Sequence, residues 1–200
     1  MTLQLGAGGR GNALLAWCRV RAAGMALLLG PAAAGKTLLM KTLHKMSSKE
    51  GTSKFDEPLP TLPTVGTNLM DITVNKRKIT LRELGGCMGP IWPSYYMDSG
   101  AIIFVIDAAN PTQVSSSCIQ LLDVLAAEQL QQTPVLILFN KVDLPCHMSL
   151  VEMKSLFRMD DILACAKQTI HVLEVSARTG RGLDQVLKWL NSHFKGKNLP

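Results

Sequence analysis

No apolar run in this sequence approaches the roughly 20 residues that a helix needs to cross a bilayer. The longest, Met25 to Leu29, Ala101 to Ile106 and Val135 to Phe139, are a fraction of that length and exclude a helical membrane span. Cysteines in ligand spacing are also missing. Cys18, Cys87, Cys118, Cys146 and Cys165 form no C-x-x-C pair and have no matching histidines, which argues against a zinc site and a disulfide framework and fits a reducing cytosol. A secretory leader is not indicated either, because Arg10, Arg19 and Arg21 surround the apolar stretch Ala13 to Cys18, whereas a signal peptide carries its charge upstream only. The expected address is cytoplasmic, with at most peripheral contact with membranes.

Charge is not concentrated. The formal balance is +6, yet the only tight basic run is Lys76-Arg77-Lys78, which follows Asn75 between two apolar alternations where a hairpin turn is expected. No aromatic residues interleave with it to stack bases, so nucleic acid is not an expected partner. What the chain does have is an ordinary globular composition, 47% hydrophobic and 18% charged over 200 residues. That suffices for one core. The domain is expected over residues 25–194, with a flexible N-terminal extension over 1–24 and a C-terminal tail over 195–200.

From Met25 onward, short β-rich apolar runs alternate with helical periodicity, the pattern of an α/β fold with a mostly parallel sheet and helices on both faces. Strands are expected near 25–29, 69–74, 78–84, 101–106, 135–139 and 171–175. Helices are expected near 35–46, 114–130, 149–157, 160–168 and 182–194. Residues 47–63, polar and carrying Pro58, Pro60 and Pro63, have no period and read as a long functional loop.

Two strings carry chemistry. Gly30-Pro31-Ala32-Ala33-Ala34-Gly35-Lys36-Thr37 matches G-x-x-x-x-G-K-[ST] between an expected strand and an expected helix, the context a phosphate-binding loop requires. Its glycines let successive N–H groups face phosphate oxygens, and the helix N-terminus adds partial positive charge. Lys36 is placed to neutralise β and γ phosphates, and Thr37 offers a hydroxyl to Mg²⁺. The second string, Asn140-Lys141-Val142-Asp143, follows a buried strand. The Asp143 carboxylate accepts two hydrogen bonds from the ring N–H and exocyclic amine of guanine, a donor pair that adenine lacks. Asn140 is expected on the other side of the purine and the Lys141 stem on its plane. Ser176-Ala177-Arg178 closes the next strand.

In this order the strings resemble the Arf family of small GTPases across residues 25 to about 194. The resemblance implies a P-loop NTPase three-layer sandwich with a six-stranded sheet, GTP or GDP with Mg²⁺ as cofactors, and a surface offered to protein effectors in the GTP state. An exchange factor and an activating protein are implied partners. Pro63-Thr64-Val65-Gly66 resembles switch I, giving Thr64 a metal and γ-phosphate role. Leu84-Gly85-Gly86, followed by Pro90-Ile91-Trp92 and Tyr95-Tyr96, resembles switch II, putting the Gly86 N–H on the γ phosphate. Ser176 and Ala177 resemble the loop whose alanine N–H meets the guanine carbonyl.

The chain departs from the family at Glu83, where Asp is usual and where a carboxylate one methylene longer would hold a Mg²⁺-bound water. It departs again at Cys87, which stands where a Gln orients the attacking water. The stretch from Cys87 to Pro90 is also about two residues shorter than in the family. No catalytic residue is therefore assigned, and intrinsic hydrolysis is expected to be slow or absent. Thr2 replaces the acylated glycine of Arf relatives, and Lys197-Asn198-Leu199-Pro200 lacks a prenylation Cys. Constitutive lipid anchoring is not expected, although Leu14, Leu15, Trp17 and Val20 could form a short interfacial helix. Two rival readings stay open: a pseudo-GTPase scaffold with a fixed surface, and a nucleotide kinase or ATPase, in which an N-K-x-D string has no role.

Overall fold

The computed structural model describes residues 24–48 and 62–194. The expected N-terminal extension up to residue 23, most of the 47–63 loop and the C-terminal tail lie outside the described residues. Six strands form one sheet: β1 (Met25–Leu29), β2 (Thr67–Val74), β3 (Arg77–Leu84), β4 (Ala101–Asp107), β5 (Val135–Asn140) and β6 (Ile170–Glu174). Their spatial order is β2-β3-β1-β4-β5-β6. All neighbours are parallel except β2 and β3, an antiparallel hairpin.

That hairpin turns at Asn75 and Lys76, flanked by the Val74–Arg77 pair, and both turn residues have positive φ, 50° and 64°. Positive φ at both central positions suits the twist of a two-residue hairpin, and Asn is among the side chains that tolerate it best. The basic run is thus largely a solvated turn, and Lys78 pairs with Asp71 at 2.8 Å on the surface.

Among the described residues, five α-helices cover the two faces: α1 (Lys36–Ser47), α2 (Val114–Ala126), α3 (Leu150–Leu156), α4 (Met159–Cys165) and α5 (Leu183–His193). Alternation along the strands builds two cores. Ala26, Leu28, Ile103 and Val105 pack with Leu39 and Leu43 of α1 and with Val186 and Leu190 of α5. Leu27, Leu29, Phe104 and Phe139 pack on the opposite face with Leu121 of α2, Met153 of α3 and Trp92. β4 is buried at every residue, so it reads as a continuous apolar run rather than an alternation. α3 begins with a capping box: the Ser149 hydroxyl accepts from Glu152 N–H at 3.3 Å, and the Glu152 carboxylate accepts from Ser149 N–H at 2.8 Å.

Three expectations need correction. The helix expected over 114–130 ends at Ala126. Ala127 is extended (ψ 121°) and Glu128–Leu130 forms a separate 3₁₀ turn that carries Leu130 into the core. The helix expected over 160–168 ends at Cys165, and Gln168 instead donates through Nε2 to Leu125 O at 2.8 Å. No regular element was expected for Gly86–Asp98, which coils as a kinked 3₁₀ stretch. Pro90 and Pro93 conceal it by removing backbone donors, while Trp92 and Tyr96 anchor it from within.

Tyr96 is 4% exposed, and burial, with the Asp123 charge second, pushes its phenol up to about 12. The native state keeps a proton that the unfolded chain releases near pH 10, so stability falls as pH rises from 10 toward 12. Denaturant unfolding at pH 9 and pH 11 should show this loss in the wild type and a smaller one in Tyr96→Phe.

Candidate functional site

The carboxyl ends of β1, β3, β5 and β6 meet at one edge of the sheet, the edge where open α/β folds hold ligands. β1 runs into the 30–37 loop, which curls because three of its residues take positive φ: Gly30 at 133°, Ala33 at 61° and Gly35 at 92°. A Cβ at Gly30 would strike the Val105 carbonyl, and one at Gly35 would lie 2.5 Å from Asn140 Nδ2. Glycine is required at both. α1 then starts at Lys36 with no acidic residue in its first turn, leaving its N-terminal positive end unneutralised.

Lys36 folds back over this loop, its ammonium donating to Gly30 O at 2.8 Å and Pro31 O at 2.7 Å. The side chain is 5% exposed, and burial lowers its pKa to about 8, with Glu83 and Cys87 pulling the other way. A buried ammonium offset by so little negative charge is a site for an anion. The cavity beside it holds about 310 Å³ and is lined by Lys36, Thr37, Thr64, Glu83, Gly86 and Cys87. A larger cavity of about 620 Å³ lies between Gly86–Asp98 and α2; Pro90, Trp92 and Tyr96 of the switch II-like string line it with Asp123, but neither the phosphate loop nor the 140–143 string reaches it.

Within the smaller cavity, three residues expected as metal ligands converge. Glu83 Oε1 accepts from Thr37 Oγ1 at 2.5 Å and from Thr64 Oγ1 at 3.1 Å, and the two hydroxyl oxygens are 3.0 Å apart. Gly86 sits so close to the phosphate loop that a Cβ on it would overlap the backbone of Pro31 and Ala32. Gly85 N–H donates to Gly66 O at 3.0 Å, joining the Thr64 segment to the Gly86 segment. Cys87 is exposed, at the rim.

At the other end, Asn140 ties two loops together: its Nδ2 donates to Ala34 O at 2.8 Å and its Oδ1 accepts from Ala177 N–H at 2.9 Å. Asp143 Oδ1 accepts from Ser176 Oγ at 2.7 Å, and Ser176 Oγ accepts from Thr179 N–H at 3.0 Å. That chain aims an otherwise exposed carboxylate. Lys141, at φ 69°, pairs through Nζ with Asp107 Oδ2 at 2.6 Å. The structure therefore brings the two sequence-distant strings and the 176–177 loop to one cleft.

Sequence reading missed three contributors. Asp107 holds Lys141 from the end of β4, and a carboxylate closing a buried strand was the available signal. Asn68 donates to Glu83 Oε2 at 2.9 Å, and Gln113 donates through Nε2 to Ala32 O at 3.1 Å. Neither belongs to any motif, and only tertiary pairing brings them in.

Comparisons with known proteins bear on family and fold. The model of the ADP-ribosylation factor family matches residues 15–194. The chain is 59% identical over 175 residues to human ADP-ribosylation factor-like protein 16, covering 88% of each chain. It is 34% identical over 170 residues to ADP-ribosylation factor-like protein 5 of Dictyostelium discoideum, covering 84% of this chain and 86% of the other. Among solved structures, the Arl6 BBS3 small GTPase of Trypanosoma brucei with bound nucleotide analogue GppNp superposes with a TM-score of 0.71 at 17% identity, over 86% of this chain and 96% of that one. That last likeness is one of fold.

Proposed function

The chain belongs to the ADP-ribosylation factor family of small GTPases, and from that premise we propose that it is a guanine-nucleotide switch whose GTP-bound surface is read by protein effectors. The observation that carries the reading is the Asn140 bridge, which fastens the loop built for phosphates to the loop beside Asp143. One ligand with a triphosphate at one end and a guanine at the other would use both loops. In this role Lys36 meets the phosphates, Asp143 selects the base, and Ala177 and Lys141 flank it.

A divalent cation fits the donor set of Thr37, Thr64 and Glu83, all hard oxygens, and Mg²⁺ would supply neutralisation of phosphate charge there. Thr64 and Gly86 lie on the two segments whose order depends on the γ phosphate. Leu62, Val65 and Leu69, 87%, 97% and 58% exposed around Thr64, give an effector something apolar to read. Exchange and activating proteins complete the cycle, and contact with membranes is peripheral at most.

Hydrolysis is the weak part of the cycle. Cys87 offers a thiol where an amide would both donate to and accept from the attacking water. Single-turnover assays should therefore show a slow or absent intrinsic rate, accelerated when an activating protein supplies groups in trans. A rate equal to that of a Gln-containing relative would remove this part of the proposal. Cys87 also supports a second reading, a pseudo-GTPase scaffold that holds nucleotide without turnover. Affinities for GTP, GDP and ATP, measured on the purified chain with Mg²⁺ and on Lys36→Ala, test both readings. Selective guanine binding lost in the variant supports a nucleotide-dependent protein, and absence of binding in the wild type leaves the fixed scaffold.

A further inference from the structure

Glu83 is longer by one methylene than the carboxylate usual at its position, and the extra reach has a geometric result. Its Oε1 and the hydroxyl oxygens of Thr37 and Thr64 form a triangle with edges of 2.5, 3.0 and 3.1 Å. Adjacent ligand oxygens of an octahedral Mg²⁺ stand about 2.9 Å apart when the metal–oxygen bonds are about 2.0–2.1 Å. Two of the edges, 3.0 and 3.1 Å, match one face of such an octahedron, and the 2.5 Å Thr37–Glu83 edge is a hydrogen bond that has to lengthen by about 0.4 Å for the cation to enter. Oε1 reaches both hydroxyl oxygens at once, which puts it at the third corner of that face.

The remaining carboxylate oxygen is occupied. Asn68 stands directly opposite Glu83 in the β2–β3 pairing, and its Nδ2 donates to Oε2 at 2.9 Å. This contact turns Oε1 alone toward the two threonines. Glu83 is also 1% exposed, so its orientation is fixed by packing as well. Outer hydrogen bonds of this kind set the direction of a ligating carboxylate.

We propose that Glu83 is a direct ligand of the divalent cation, replacing a water in the inner sphere, and that Asn68 is the positioning residue that presents it. The proposal rests on the nucleotide-switch reading, since two phosphate oxygens complete the set of donors. With Thr37, Thr64, Glu83 and two phosphate oxygens in place, a six-coordinate ion keeps one water.

Mn²⁺ serves as the probe, bound to the full chain loaded with a non-hydrolysable GTP analogue, with inner-sphere waters counted by ¹⁷O-water broadening of its electron paramagnetic resonance lines. The wild type should show one bound water and Glu83→Asp two, and Asn68→Ala should weaken Mn²⁺ at least tenfold while leaving the affinity for GDP in EDTA unchanged. Two waters in the wild type, or equal counts in wild type and Glu83→Asp, would overturn the proposal while leaving the switch reading intact. Failure of the wild type to bind guanine nucleotide would instead overturn the switch reading, and the ligand assignment with it.

Discussion

Lys36→Ala should weaken GDP and GTP by about 10² to 10³-fold, the range expected when one partner of a buried, hydrogen-bonded charge contact is removed. The side chain is already positioned, with its ammonium on the Gly30 and Pro31 carbonyls at the mouth of the cavity. Burial lowers its pKa to about 8, so the charged form is poorly stabilised until an anion arrives. For the same reason the empty protein should lose little. Two hydrogen bonds to loop carbonyls disappear, at about 1 kcal/mol each, and relief of the buried charge offsets them. Fluorescent-GDP titration alongside thermal unfolding separates the two effects. Unchanged affinity in a folded Lys36→Ala variant would remove the phosphate assignment.

Asp143→Ala should have an effect as large but of a different kind. One carboxylate oxygen of Asp143 accepts from Ser176, which fixes the group's direction, and no hydrogen bond joins its other oxygen to any described residue. Two charge-assisted bonds to guanine at about 1.5–3 kcal/mol each imply a loss of about 10³-fold in GDP affinity. ADP, which presents no donor pair there, should change by less than about threefold, so discrimination between the bases collapses. Competition of both diphosphates against a fluorescent analogue measures this directly. If guanine and adenine nucleotides weaken equally, the residue supports the fold and does not select the base.

Much of this site is legible in the sequence because its chemistry is local. The phosphate loop is one continuous string whose glycines have torsional and steric reasons, 133° at Gly30 and a 2.5 Å approach at Gly35. β4 and β5 announce themselves by unbroken burial, and α5 by Leu183, Val186 and Leu190 at helical spacing. What could not be read depends on pairing between distant segments. Asn68 meets Glu83 only through the β2–β3 register, and Gln113 reaches Ala32 from the segment that follows the neighbouring strand β4. The Gly86–Asp98 coil was hidden for another reason, since its two prolines mark a loop in any local reading while Trp92 Nε1 donates to Gly85 O at 3.1 Å and holds it in place. The breaks after Ala126 and Cys165 follow from tertiary demands, the burial of Leu130 and Gln168, that helical periodicity does not reveal.

Hydrogen exchange compared between the GDP-bound and GTP-analogue-bound protein tests the switch most directly. The account predicts slower exchange with the triphosphate, concentrated in residues 62–68 and 85–98, with the sheet and α5 unchanged. Identical exchange in the two states, with both nucleotides bound, would contradict it and leave a protein that binds guanine nucleotide without switching.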